Sequence, residues 1–112
     1  MKLETKFQKD LIDELRYLFP GCIILKNDAN YLQGIPDVLI LYKEKWALLE
    51  VKRSVKENRQ PNQEYYVDLA REWSYGAIVY PENKEEILDE LQLAFQPRRP
   101  TRVPKRKQVS LD

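Results

Sequence analysis

Histidine is absent from this sequence of 112 residues, and cysteine occurs only once, at Cys22. The lack of histidine excludes Ser-His and Cys-His nucleophile pairs, histidine metal sites and histidine acid-base chemistry. A single cysteine cannot form an internal disulfide or a zinc cluster, so we interpret Cys22 as a small buried apolar residue in a reducing compartment. Any catalysis must therefore use carboxylates, lysine, tyrosine or a metal ion.

Long apolar runs are missing as well. No run approaches the roughly 18 residues that a membrane span requires, and the opening MKLETKFQKD lacks the apolar core of a signal peptide. We therefore expect no membrane contact and a protein that stays in the compartment where it is made, the cytoplasm. With 43% hydrophobic and 33% charged residues, the composition is typical of one soluble globular domain.

The net charge of +1 hides an uneven distribution along the chain. Residues 96–112 contain six of the 19 basic groups and one of the 18 acids, so this tail carries +5 and residues 1–95 carry −4. The tail also holds three prolines and few apolar residues, which predicts a flexible basic arm after a folded domain of residues 1–95. Such an arm either attracts the phosphates of a nucleic acid, whatever its base sequence, or only keeps the protein soluble. Both interpretations stay open.

Three helices are predicted from apolar residues at helical spacing. The first covers residues 5–19 and ends at a Pro-Gly pair, and the second begins at Pro61. Asn83 and Glu86 match a capping box at the start of the third. Aromatic residues expected in the core are Trp46, Tyr66 and Trp73.

Four short strands are predicted between these helices, at residues 22–25, 37–41, 46–52 and 77–80. The second and third flank the polar residues Lys43-Glu44-Lys45 and form a hairpin. Both are apolar on their two faces, which is typical of central strands covered by helices on each side. The order α-β-β-β-α-β-α predicts an α/β fold with a central sheet between helices.

Two acids and a lysine meet in this hairpin. Side chains two residues apart on a strand share a face, so Glu50 and Lys52 point the same way. If Tyr42 faces Lys45 across the turn, opposed residues have numbers that add to 87, and Asp37 faces Glu50. Two carboxylates and an ammonium on a buried face are costly unless something compensates them. A divalent cation, Mg²⁺ or Mn²⁺, held by both acids is the simplest compensation because these ions prefer hard oxygen ligands.

The first helix offers a third acid. At about 100° per residue, Glu4 falls in the middle of the apolar stripe of that helix, one turn before Phe7. An acid in a first turn often only complements the helix dipole. Beside the two hairpin acids, Glu4 becomes a candidate for the same site.

The stretch GIPDVLILYKEKWALLEVKRS, followed by RQPNQEYY, resembles the PD-(D/E)XK nuclease superfamily. More narrowly, it is similar to the short stand-alone virus-type replication-repair nuclease (VRR-NUC) domains of phages and bacteria. The resemblance covers nearly all of residues 3–95 and includes ETKFQ, LKND and the glutamines Gln60 and Gln63. It implies a restriction-endonuclease-like core with a mixed sheet, in the cytoplasm of a bacterium or of a phage-infected cell. The tail after Phe95 lies outside the family pattern.

The resemblance implies hydrolysis of phosphodiester bonds in DNA. The metal polarises the scissile phosphate and acidifies a bound water, while Lys52 orients that water or stabilises the developing charge. Whether one or two metal ions act stays open. The residues carried over by position are the first-helix acid Glu4, the metal ligands Asp37, Glu50 and Val51 (through its carbonyl), the motif lysine Lys52 and the second-helix glutamine Gln63. Some basic residues lie near the proposed opening of the active site and could hold phosphates of the DNA: Lys26, Arg53, Lys56 and Arg59.

The stand-alone members of this family act as homodimers that resolve four-way junctions. The resemblance therefore implies a metal-dependent, structure-specific endonuclease for branched DNA, active as a homodimer and without a small-molecule cofactor. The loop NDANYLQG (residues 27–34) is the candidate dimer contact because Tyr31 and Leu32 are apolar in a polar connection, although both could pack beneath their own loop.

Two alternatives stay open. One is a catalytically silent DNA-binding subunit on the same scaffold. The other is a restriction-type nuclease that reads a base sequence, although about 95 ordered residues leave little room for a recognition element in the major groove.

Overall fold

The elements follow the predicted order α-β-β-β-α-β-α in the computed structural model, which describes residues 5–56 and 61–96, without the side chains of residues 61–63. A short 3-10 turn, Pro81–Asn83, precedes the last helix. Within these described residues, no helix is long and apolar enough to cross a membrane. The helices are α1 (Lys6–Leu18), α2 (Pro61–Trp73) and α3 (Lys84–Ala94), and the strands are β1 (Ile23–Lys26), β2 (Val38–Tyr42), β3 (Lys45–Val51) and β4 (Gly76–Val79).

The four strands form one mixed sheet in the order β1-β2-β3-β4. β1 is antiparallel to β2, β2 and β3 form the predicted hairpin, and β4 lies parallel to β3. Tyr42 faces Lys45, and Val38 faces Leu49, which confirms the predicted register. Lys43 adopts a left-handed conformation with φ of 59°, which closes the turn in two residues.

One face of the sheet, the core face, packs against α1 and α3. Alternate strand residues point into this core, and Val38, Ile40 and Ala47 are completely buried there. Burial of apolar side chains on one face of a pleated strand holds the register of the hairpin, because a slip of one residue would expose all of them. The helical partners in this core are Leu11, Ile12, Leu15 and Phe19 on the first helix and its end, and Ile87, Leu88, Leu91 and Phe95 on the third.

A cluster of aromatic rings fixes the direction of α1 on the sheet. The ring centre of Phe19 lies 5.2 Å from that of Tyr42 and 5.1 Å from that of Phe95. Because Phe19 follows α1 and Tyr42 ends β2 beside the turn, α1 begins at the opposite end of the hairpin. There the Thr5 side-chain oxygen caps the helix by accepting a hydrogen bond of 3.0 Å from the backbone N–H three residues on. The start of α1 thus lies at the end of the sheet where Asp37 precedes β2.

The second face of the sheet is covered only in part. α2 packs over β3 and β4, so closely that a Cβ added to Gly76 would lie 2.5 Å from the Val67 carbonyl oxygen. Helices lie on both faces, as predicted, but α2 sits toward the β4 edge. Trp73 is 67% exposed, so its predicted place in the core is wrong, and Trp46 is half-buried. The apolar side of α2 is wider than the strip of it that contacts the sheet.

The capping box predicted at the start of α3 does not form. Asn83 is the residue before α3, but its side chain makes no capping bond. Its Oδ1 instead accepts a hydrogen bond of 2.9 Å from the Tyr80 N–H, and its Nδ2 donates one of 3.0 Å to the Ile78 carbonyl. The 3-10 turn brings Asn83 beside the end of β4, where these backbone groups compete for its side chain.

Candidate active site

The open end of the hairpin brings the two predicted acids together. The Asp37 N–H donates a hydrogen bond of 3.1 Å to Glu50 Oε1. In return, the Val51 N–H donates one of 3.0 Å to Asp37 Oδ2. Each carboxylate is therefore held by a backbone donor of the opposite strand, and the two acids are cross-strand neighbours.

Lys52 completes this cluster. Its Nζ lies 3.3 Å from Glu50 Oε2, and the side chains of Lys52 and Glu50 are 7% and 0% exposed. The Lys52 backbone N–H donates to the Val79 carbonyl at 2.8 Å, so the end of β3 is tied to β4. As the alternation along β3 predicts, Glu50 and Lys52 share the face of the sheet that α2 partly covers.

The charge of Glu50 is expensive in this position. Burial and, to a smaller extent, the nearby Asp37 carboxylate raise the pKa of Glu50, the Lys52 ammonium opposes both, and together they raise it to about 7. A cation bound between the acids would favour the charged form, since an added positive charge opposes both effects.

The donor set suits a hard divalent cation. Asp37 and Glu50 supply carboxylate oxygens, and the N–H and C=O of one strand residue point to the same side. Because the Val51 N–H donates to Asp37, the Val51 carbonyl also points to that side. Among residues 5–56 and 61–96 no three acids, cysteines or histidines come together in a way that could hold a metal ion. A third acid would have to come from elsewhere, and Glu4 lies outside the described residues.

The segment before Asp37 positions it, and Asn27 has a part in this that the sequence analysis missed. The Asn27 N–H donates to the Asp37 carbonyl, and its Nδ2 donates to the Pro36 carbonyl, both at 2.8 Å. Gly34 is buried with φ of +85°, a backbone conformation that glycine adopts without strain. The one signal for Asn27 in the sequence was its place in the LKND stretch.

The other predicted residues lie around or beyond this cluster. Lys26 is exposed and pairs with Val38, next to Asp37. Arg53 and Lys56 are exposed in the bend after β3. Gln63 is in the first turn of α2, but its side chain is not described. Arg59 lies outside the described residues, and so do residues 97–112 of the basic arm predicted for residues 96–112.

No family model and no curated protein sequence matches the chain. A solved structure of a VRR_NUC domain protein aligns with a TM-score of 0.52 and 10% identity, over 83% of this chain and 91% of that chain. The fold is VRR-NUC-like. This bears out the resemblance to PD-(D/E)XK nucleases at the level of the fold. The Holliday junction resolvase Hjc from the archaeal hyperthermophile Archaeoglobus fulgidus aligns with a TM-score of 0.47 and 21% identity, over 69% of this chain and 68% of that chain.

Proposed function

We propose that this protein is a metal-dependent endonuclease that hydrolyses phosphodiester bonds in branched DNA. The observation that carries the proposal is the cluster of Asp37, Glu50 and Lys52 at the end of the hairpin of a VRR-NUC-like fold, with Glu50 and Lys52 buried and Asp37 half-buried. A buried acid with a raised pKa, here Glu50, is typical of a functional site more than of a stabilising one.

The residues of the cluster have separate tasks in this reaction. Asp37, Glu50 and the Val51 carbonyl hold the cation, and the Val51 N–H keeps the Asp37 carboxylate in position. A bound Mg²⁺ or Mn²⁺ supplies Lewis-acid polarisation of the phosphate and a water of lowered pKa. Lys52, held 3.3 Å from Glu50, places one ammonium group where it orients that water or stabilises the negative charge that develops.

Further residues are assigned to the site by the sequence resemblance. Glu4 adds a third carboxylate, and the start of α1 lies at the correct end of the sheet for it. Gln63 lies in the first turn of α2, on the helix that partly covers the face of the sheet where Glu50 lies. Phosphates of the DNA are contacted by Lys26, Arg53, Lys56, Arg59 and the basic residues of the tail.

The proposed nuclease is a homodimer that cuts opposed strands of a junction, one at each site. Branched DNA is favoured over a base sequence because a domain of this size leaves little room for a separate recognition element in the major groove. In the loop of residues 27–34, Tyr31 is 91% exposed and Leu32 is 40% exposed, so Tyr31 does not pack beneath its own loop.

Cleavage of synthetic DNA tests the proposal. A four-way junction, a flap and a linear duplex are each incubated with Mg²⁺, with Mn²⁺ or with EDTA. We expect cleavage of branched DNA with either metal and none with EDTA. Asp37→Asn should abolish cleavage but leave circular dichroism and junction binding in EDTA unchanged, and Asp13→Asn, on an exposed part of α1, serves as the control.

Three results would contradict this proposal. Junction binding without cleavage in either metal would favour a silent DNA-binding subunit. Cutting of the linear duplex at one base sequence would favour a restriction-type nuclease. Cleavage by Asp37→Asn at the wild-type rate would contradict the assignment of the active site to the cluster around Asp37.

A further inference from the structure

The most exposed aromatic ring of the described residues lies in the loop beside the candidate active site. Four aromatic side chains of residues 5–56 and 61–96 are exposed: Tyr17, Tyr31, Tyr65 and Trp73. Tyr31, at 91%, is the most exposed of them. It lies in the loop of residues 27–34, which leads from β1 toward Asp37. A single exposed aromatic residue is common at a protein surface, so the rigidity and the surroundings of the ring decide whether it has a task.

The loop that carries Tyr31 is fixed at its base and folded at its tip. At the base, Asn27 donates two hydrogen bonds of 2.8 Å, one from its N–H to the Asp37 carbonyl and one from its side chain to the carbonyl of the preceding proline. At the tip, the Tyr31 N–H donates to the Asp28 carbonyl at 3.0 Å, and the Asn30 N–H donates to Asp28 Oδ1 at 2.8 Å. The ring therefore stands on a preformed turn, and a partner that binds it orders little backbone.

The same turn keeps Tyr31 close to the acids of the candidate active site. Asn27 is hydrogen-bonded to Asp37, and the turn of residues 28–31 follows it directly. The Cα atoms that begin and end such a turn are less than about 7 Å apart, so the Tyr31 Cα lies within about 11 Å of the Asn27 Cα. That distance equals about three nucleotides along one strand of duplex DNA, at 3.4 Å each. DNA with a phosphate at the acids therefore has bases within reach of the ring.

The composition of the loop favours a nucleobase over a phosphate as the partner of the ring. Residues 27–34 contain one acid, Asp28, and neither lysine nor arginine, so the loop does not attract the DNA backbone. A tyrosine ring offers a flat apolar face, and every base has a face that stacks on it. The exposed part of Tyr31 is about 200 Å², far below the roughly 800 Å² that each partner buries in a standard protein interface. A single base therefore matches the ring better than a protein surface does.

We propose that Tyr31 stacks on an unpaired base at the branch of the DNA and thereby determines the preference of this protein for branched over linear DNA. The inference rests on the proposed nuclease. Asp37, Glu50 and Lys52 act on a phosphate, which is the same group in branched and in linear DNA, so the preference needs a contact outside this cluster. Inside a linear duplex, neighbouring bases cover both faces of every base. At a flap or an opened junction a base is already unpaired, so stacking on the ring costs little unstacking.

Binding to DNA in EDTA measures this preference without cleavage. The two probes are a duplex with a flap of three unpaired nucleotides and a linear duplex of the same length with the same ends. Tyr31→Ala should weaken binding of the flap DNA about 10- to 100-fold and leave binding of the linear duplex unchanged. Tyr31→Phe keeps the flat ring and should keep the preference. Tyr31→Leu keeps an apolar side chain without a ring and should lose it.

A fluorescent base in the flap reports the contact itself. The base analogue 2-aminopurine, placed at the unpaired position next to the branch, loses fluorescence when it stacks on an aromatic ring. We expect the wild type and Tyr31→Phe to quench it, and Tyr31→Ala to leave it bright.

The matched control is Tyr17→Ala, which removes a tyrosine that is 80% exposed on α1. Tyr17 lies near the end of α1, where Phe19 packs on Tyr42, and about 17 Å of strand separates Tyr42 from Asp37. The control should change neither the two affinities nor the fluorescence. Circular dichroism and thermal unfolding establish that each variant is folded.

A wild type that binds flap and linear DNA equally well would overturn the inference, and so would an equal loss of both affinities in Tyr31→Ala. If Tyr31→Ala lowers the sedimenting mass of the protein without DNA, the ring contacts a second copy and the inference fails. If Tyr31→Ala weakens flap binding alone but the wild type cuts no DNA, the stacking site stands and the proposed function fails. If the wild type cuts branched DNA and Tyr31→Ala keeps the preference, the function stands and the stacking site fails.

Discussion

Replacement of Glu50 by glutamine should stabilise the metal-free protein, by an amount that grows with pH. Burial, together with the Asp37 carboxylate, raises the pKa of Glu50 from 4.5 to about 7. A carboxyl with a raised pKa binds protons more tightly in the folded than in the unfolded protein. The protonated carboxyl therefore contributes its full stabilisation of the folded state below pH 4.5. This stabilisation is lost as the pH rises through 7. Glutamine has nearly the same shape and no charge to lose.

The size of the effect follows from these two pKa values. Each pKa unit corresponds to about 1.4 kcal/mol, so ionisation of Glu50 lowers the free energy of unfolding by about 3 kcal/mol at pH 8. Because Glu50 is fully buried, solvent screening leaves most of this energy in place. The difference between Glu50→Gln and the wild type should increase by about 1.4 kcal/mol per pH unit between pH 5 and pH 7.

Urea unfolding in EDTA at pH 5, 6, 7 and 8, at one protein concentration, measures this difference. The control is Glu85→Gln, because the Glu85 side chain is 78% exposed and an exposed substitution changes stability by at most about 0.5 kcal/mol. A difference between Glu50→Gln and the wild type that stays constant over this pH range would refute the electrostatic reasoning. A free energy of unfolding that is lower for Glu50→Gln than for the wild type at high pH would refute it as well.

Three further predictions concern the metal, the packing of α2 and the tail. Saturating Mg²⁺ should raise the melting temperature of the wild type but not of Asp37→Asn, in thermal unfolding with and without EDTA, because binding to the folded state alone stabilises it; equal shifts would argue against a site at Asp37. Gly76→Ala should lower the free energy of unfolding by about 2–3 kcal/mol in urea, because the new Cβ lies 2.5 Å from the Val67 carbonyl oxygen; a neutral result would show that α2 shifts without cost. Removal of residues 96–112 should weaken the binding of all DNA substrates alike and flatten its salt dependence; an unchanged salt slope would leave the solubilising interpretation.

The register of the hairpin could be predicted because it depends on local features. A short polar turn and two apolar runs allow few pairings, and the observed pairing of Tyr42 with Lys45 is the one that closes the turn over Lys43 and Glu44. The proximity of Asp37 and Glu50 follows from that register. By contrast, the third acid and the second-helix glutamine were predicted from a resemblance. Glu4 and the Gln63 side chain are not described by the structure, so both remain predictions.

The position of α2 could not be predicted from its own residues. The apolar side of α2 includes Trp73 whether the helix lies over the middle of the sheet or over its edge. Its place over β3 and β4 depends on Gly76, which lets the helix backbone come close at that strand. The role of Asn83 could not be predicted from local sequence either. Its spacing from Glu86 fits a capping box, but backbone groups at the end of β4 bind its side chain instead.

The same alternation that assembles the active site also determines which residues point to the face of the sheet that α2 covers in part. Trp46, Leu48, Glu50 and Lys52 form one row along β3, so the register that pairs the acids also turns Trp46 and Leu48 away from the core. The register determines to which face each side chain points, but it does not require an apolar residue at a half-exposed position. Polar residues at Ile23 and Leu25 would keep the sheet and the site intact. Their apolar character is therefore required neither by the register nor by the active site.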